Sequence, residues 1–127
     1  MKWDMAVNKM DRKKELKEQY KQMKTEMGIM LVQNKINNKY ILVTTQNLKG
    51  MINRIRFQLK SGGHPNKELQ KDWNELGEDD FEIKILEILE YDKDELKTDY
   101  SEELNIMEIM WAEKLSEKNM EAYKVNI

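Results

Sequence analysis

A change of hydrophobic period over residues 28–76 constrains this chain more than any other feature. Ile29 and Leu31 precede the pair Asn37-Asn38, and Ile41, Val43, Thr44 and Thr45 follow it. Asparagine tolerates left-handed backbone, so β-branched runs on either side of such a pair predict a β-hairpin. Directly afterwards the spacing becomes helical. Leu48, Met51, Ile52, Ile55 and Leu59 fall on one stripe, with Asn47 as candidate N-cap and Gly62-Gly63 as the stop. Pro65 suits the first turn of a further helix bearing Leu69, Trp73 and Leu76 and closed by Gly77.

The remainder extends this pattern. Phe81, Ile83 and Ile85 alternate with Glu82 and Lys84 before an apolar run to Leu89, which predicts a third strand pairing with the hairpin. An acidic loop over residues 91–99 leads to a last helix over 101–118. Asp99 and Ser101 are its candidate caps, and Glu102 and Glu103 favour its N-terminal dipole. Upstream, residues 1–10 show no period and read as a loose arm. Asp11 is the candidate cap of an amphipathic helix with Leu16, Tyr20 and Met23 on one face and Lys13, Lys14, Lys17, Lys21 and Lys24 outward. The tail from Met120 is too short to assign. A length of 127 residues allows one core. The expectation is a single α/β (α+β) domain over residues 11–127, a small three-stranded antiparallel-type sheet flanked by helices with an extra N-terminal helix.

The chain has no cysteine, so thiolate metal sites are excluded and any metal is held by oxygen or by the single histidine, His64. No apolar run reaches the ~20 residues of a membrane span, and the N-terminus lacks a signal-peptide pattern. A cytoplasmic protein with no membrane partner is expected. The net charge of −2 hides an asymmetry: residues 1–71 carry 16 Lys/Arg and 6 Asp/Glu, residues 72–127 carry 6 and 18. Separate basic and acidic surfaces follow, one suited to a phosphate backbone and the other repelling it, unless ion pairs along helix faces absorb the charge.

In the last helix Leu104, Met107, Trp111 and Leu115 form the apolar stripe, and Glu108 interrupts it. A carboxylate there is costly unless paired or coordinated. Two readings stand: a metal ligand, or a carboxylate at the stripe's edge bonded to Lys, Tyr or backbone.

Gly28-Ile29-Met30, Tyr40-Ile41-Leu42-Val43, the segment SGGHPNKELQKDWNELG and the glutamate three residues before Trp111 occur in an order that resembles the GIY-YIG nuclease family, over about residues 24–118. The resemblance implies that Glu108 is the metal ligand, holding a single Mg²⁺ or Mn²⁺ near the scissile phosphate with waters completing the shell. It also implies a tyrosine that assists the nucleophile and an arginine on the next helix that stabilises phosphate charge. Here Met30 stands at the first tyrosine, Ile41 at the second, Val43 at the glycine and Met51 at the arginine. Ile55 occupies a position where many members carry histidine, and His64 keeps its family place before Pro65. Arg54, one turn beyond Met51, and Tyr40, beside Ile41, are the candidate replacements, so Glu108, Tyr40 and Arg54 form the catalytic set if activity remains.

Two functions are weighed. The leading one is a nuclease-like domain that is catalytically weak or inactive and acts by binding. Its partner is nucleic acid held by Lys49, Arg54, Arg56, Lys60, His64, Lys67 and Lys71, or a protein held by the acidic C-terminal half or the apolar former cleft. A regulator or inhibitor of a nucleic-acid enzyme is one form of the latter. The alternative is an active Mg²⁺- or Mn²⁺-dependent endonuclease hydrolysing DNA phosphodiesters.

Overall fold

A computed structural model describes residues 12–16 and 24–125 of the chain. Residues 12–16 are helical, as expected for the N-terminal helix, while the arm over 1–10, the Asp11 cap, Lys17, Tyr20, Lys21 and Met23 lie outside the described residues. Strand β1 (Met27–Asn34) and strand β2 (Lys39–Thr45) form an antiparallel hairpin, followed by helices α1 (Leu48–Ser61) and α2 (Lys67–Leu76). A 3₁₀ turn (Glu78–Asp80) leads into β3 (Phe81–Leu89), then α3 (Ser101–Glu117) and a two-residue strand β4 (Glu121–Ala122). The sheet order is β3-β1-β2-β4. The three antiparallel strands are those expected, and β4 adds a short parallel partner at the Lys39 end of β2.

The hairpin turn is built by asparagines. Asn38 takes the left-handed conformation at φ 62, its N–H donates to the Asn34 carbonyl at 2.9 Å, and the Asn34 side chain accepts from Ile36 N–H at 2.9 Å. On the other side β1 pairs with β3 through a bulge between Ile29 and Met30. Gly28 permits this close pairing, because a Cβ there would stand 2.1 Å from the Glu87 carbonyl oxygen.

Helices α1 and α2 cover one face of the sheet. Met30, Val32 and Phe81 pack there with Leu48, Ile55, Leu59, Leu69 and Trp73. Helix α3 covers the other face, where Leu31 and Tyr40 meet Leu115, and Met27 meets Tyr100 and Leu104. Asn47 caps α1 by accepting from Gly50 N–H, and Gly62 closes it in the left-handed conformation. Two caps differ from expectation. Asn66, not Pro65, sets the start of α2, since its side chain accepts from Leu69 N–H at 3.0 Å. Helix α3 begins after Tyr100 without a side-chain cap, because Asp99 instead accepts from the N–H and hydroxyl of Ser101.

The tail is tied down by a polar network. Tyr123 enters the core on the α2 side, its hydroxyl donates to Asp72 at 2.8 Å, and Asn34, which is fully buried, donates to that hydroxyl at 3.0 Å. Asn37 also donates to Asp72. Beside this cluster Lys39 and Glu68 form an ion pair at 2.6 Å, and Glu68 accepts from Lys124 N–H.

Removing the Tyr123 hydroxyl leaves Asn34 and Asp72 short of a partner, so Tyr123→Phe should destabilise by about 1–3 kcal/mol in urea unfolding. Gly28→Ala should cost about 1–3 kcal/mol by forcing β1 away from β3, and hydrogen exchange of those two strands should rise with it.

Candidate functional site

The positions that the family resemblance marks for catalysis converge in space and are apolar. Met30 and Ile55 are buried in one cluster, and Ile41, Val43 and Met51 pack against it from β2 and α1. Met30, Ile41 and Val43 lie on the same sheet face because strand side chains alternate and Met30 pairs directly with Val43. Strand β4 pairs only with Lys39 and Tyr40, so residues 41–45 form an open edge of the sheet among the described residues.

Helix α1 has two distinct flanks. Lys60 pairs with Glu78 at 3.7 Å, beside the start of β3, which sets the flank carrying Lys49, Arg56 and Lys60 on the β3 side. Arg54 lies on the opposite flank with Met51 and Gln58, toward the open edge of β2. It is rotated roughly 60° outward from Met51 and roughly 160° from Arg56. The two arginines therefore do not form one patch. The helix holds no acidic residue, and Lys49, Arg54 and Arg56 are exposed without an ion pair to any described residue. The expected absorption of charge along helix faces is found in Arg12–Glu15, not here.

Glu108 is half-buried on α3. Trp111 reaches toward β3, donating its indole N–H to Glu87 at 2.9 Å. Glu108 sits roughly 60° around the helix from it, on the β2 side. Its carboxylate makes no hydrogen bond or ion pair to a described residue, so the expected bond to Lys, Tyr or backbone is not formed. Tyr40 is buried against Leu31 and Leu115, about two helical turns along α3 from Glu108 and on the sheet face opposite Met30 and Met51. Burial pushes its phenol up from the ordinary value. Arg54 and Glu108 thus lean toward the same edge of β2 from opposite sides, and Tyr40 stands apart from both.

A Mg²⁺ or Mn²⁺ ion would find one protein ligand here. No group of three His, Asp or Glu able to hold a metal gathers among the described residues. The single carboxylate fits a cation whose remaining oxygens come from water and substrate phosphate, and does not fit a cage made by the protein alone.

His64, Lys67 and Lys71 line a shallow cleft at the junction of α1 and α2, together with Gly62, Gly63 and Gln70. His64 is structural in its contacts: its Nδ1 accepts from Asn66 N–H at 3.0 Å and its own N–H donates to Gln70. Burial lowers its pKa from 6.5, so the ring is neutral at pH 7 and offers Nε2–H, not a cation, to solvent. An aromatic ring outside every apolar stripe of the sequence is also exposed here. Phe57 is 72% exposed on the side of α1 that faces away from the core. The available signal was its place off the Leu48–Ile55–Leu59 stripe.

A His whose folded pKa is depressed contributes stability that is present above its unfolded value and lost as pH falls through the folded one. The stability of the native protein should therefore decline from about pH 6.5 downward. His64→Asn, which keeps an acceptor for Asn66 N–H, should flatten that slope in denaturant titrations at pH 7 and pH 5.

No protein-family model matches the chain, and no curated protein matches it. Solved structures do. The catalytic domain of the homing endonuclease I-TevI superposes with a TM-score of 0.60 at 26% identity, covering 80% of this chain and 99% of that one. A glutamate-to-alanine mutant of the same catalytic domain superposes with a TM-score of 0.60 at 24% identity, covering 79% and 93%. The sheet with α1 and α2 on one face and α3 on the other has the fold of a GIY-YIG endonuclease catalytic domain.

Proposed function

We propose that this domain binds nucleic acid and has lost most or all of the cleavage chemistry associated with its fold. The observation that carries the reading is the apolar cluster at Met30, Ile41, Met51 and Ile55. Each residue stands at a position where the GIY-YIG resemblance calls for a tyrosine, arginine or histidine. Losing a charge-stabilising donor lowers rate by ~10²–10³ and losing a general base by ~10²–10⁴. Arg54 is a partial substitute at best, since it points outward from the Met51 position. Tyr40 is held in the core beneath α3.

Binding needs none of those groups. Lys49, Arg54 and Arg56 on α1 and Lys67 and Lys71 on α2 are exposed and carry no ion pair to a described residue, so they are available to phosphates. A second reading has one observation in its favour. Glu108 is a half-buried carboxylate without a described partner beside the open edge of β2, the place where a Mg²⁺- or Mn²⁺-dependent endonuclease would keep its metal ligand. The acidic C-terminal half offers a third route, a protein partner, which becomes the reading of choice if nucleic acid does not bind.

Fluorescence anisotropy with labelled oligonucleotides in EDTA tests the proposal. Affinity should persist without metal and fall steeply with salt. Arg54→Ala should weaken it several-fold and reduce the slope of log K against log salt by about 1, and Arg56→Ala on the other flank should add to the loss only if the ligand reaches both flanks of α1. Binding that requires Mg²⁺ and vanishes in Glu108→Ala would favour the endonuclease instead.

A further inference from the structure

Phe57 stands on α1 where nothing in the fold needs it. The core side of the helix is set by Leu48, Ile55 and Leu59, and Phe57 lies roughly 180° from Leu48 around the axis, 72% exposed. Its neighbours on the helix surface are the residues three and four away. They are Asn53 and Arg54 one turn before, and Lys60 and Ser61 one turn after. The ring is thus flanked diagonally by two cations, on a helix without a carboxylate. Two turns before Phe57 the same stripe holds Gly50, which has no side chain to stand in the way of a ligand lying along the helix.

An exposed aliphatic side chain in this place would be unremarkable, as surfaces carry many single apolar residues. An aromatic ring between Arg54 and Lys60 has a specific chemistry. Its face accepts a planar base by stacking, while the flanking cations take the phosphates on either side of that base. A paired base inside a duplex offers no free face, so the arrangement selects nucleic acid with at least one unpaired nucleotide. A protein partner would meet the same ring, but a helix without a carboxylate, on which Arg54 carries no ion pair to a described residue and Lys60 meets only an exposed Glu78 at 3.7 Å, complements a polyanion more directly than an apolar groove.

We infer that Phe57 is a stacking platform for an unpaired base, and that the outer surface of α1 favours single-stranded or locally unpaired nucleic acid over blunt duplex. The inference rests on the nucleic-acid binding proposed above and names its substrate class. Helix α1 grips the backbone through Arg54 and Lys60, and Phe57 supplies affinity that does not depend on salt.

The test compares a single-stranded oligonucleotide with a blunt duplex of the same sequence, by anisotropy at fixed salt. Phe57→Ala should weaken single-strand binding by about 5- to 150-fold and leave duplex binding within about 2-fold. Phe57→Trp should restore it, and the salt slope should not change in either variant. The residue is exposed, so both variants should keep the native melting temperature, which separates loss of contact from loss of fold. Equal loss on both ligands, or no loss on the single strand while Arg54→Ala still weakens it, would overturn the stacking role and leave nucleic-acid binding standing. Absence of any binding by the native protein would overturn both.

Discussion

Strand β1 is the element on which the rest depends, because it is buried on both faces. Met27, Ile29, Met30, Leu31 and Val32 are each at most 1% exposed. Side chains alternate along a strand, so Met30 and Val32 demand cover from one layer and Ile29 and Leu31 from another. Helices α1 and α2 supply the first and α3 the second. The polar end of the strand, Asn34, then joins the hairpin turn, α2 and the tail through Asp72 and Tyr123. Breaking the strand would uncover both layers at once.

The same constraint bears on function. A side chain at position 30 is enclosed by β2 and α1, so a polar group there must be satisfied by its neighbours or by a ligand. With Met30, the neighbours Ile41, Met51 and Ile55 are apolar as well, and the enclosure becomes ordinary core. On the proposed reading, chemistry that needs a charge in this place has nowhere to sit. The charged groups lie outside it, Arg54 on the solvent side of Met51 and Glu108 on the far side of the β2 edge. A shared fold does not by itself transmit an activity, and on the proposed reading Met30, Ile41, Met51 and Ile55 are what set this chain apart from its structural neighbours.

Much of the fold was legible in the sequence because its signals are local. Asn47 and Gly62 bound α1, the hairpin turn sits at the asparagines, and the burial alternation of β3 holds through Lys84 but not at Ile85, which is exposed, as Ile88 is, on an edge strand next to the bulge. The tail was not legible. Tyr123 acquires its role from Asn34 and Asp72, which are distant in sequence, and no local pattern marks such a partnership. Pro65 misled because Asn66 beside it is the better cap. Of the candidate site, the interruption of the α3 stripe by Glu108 was visible, whereas its freedom from any described partner was not. The basic residues of α1 looked like one patch in the sequence, yet the helical rotation separates Arg54 from Arg56. Phe57 carries no periodic signal, because it stands opposite the apolar stripe of α1.

On the reading proposed above, this fold has kept a surface for nucleic acid and given up its catalyst. The decisive experiment incubates the native protein with supercoiled plasmid and single-stranded DNA in Mg²⁺ and in Mn²⁺, beside Glu108→Ala. Intact substrate after prolonged incubation at enzyme concentrations far above those a working nuclease requires is the predicted result. Nicking or cutting by the native protein that disappears in Glu108→Ala would contradict it, and would mean that Arg54 or another group supplies what the apolar cluster lacks.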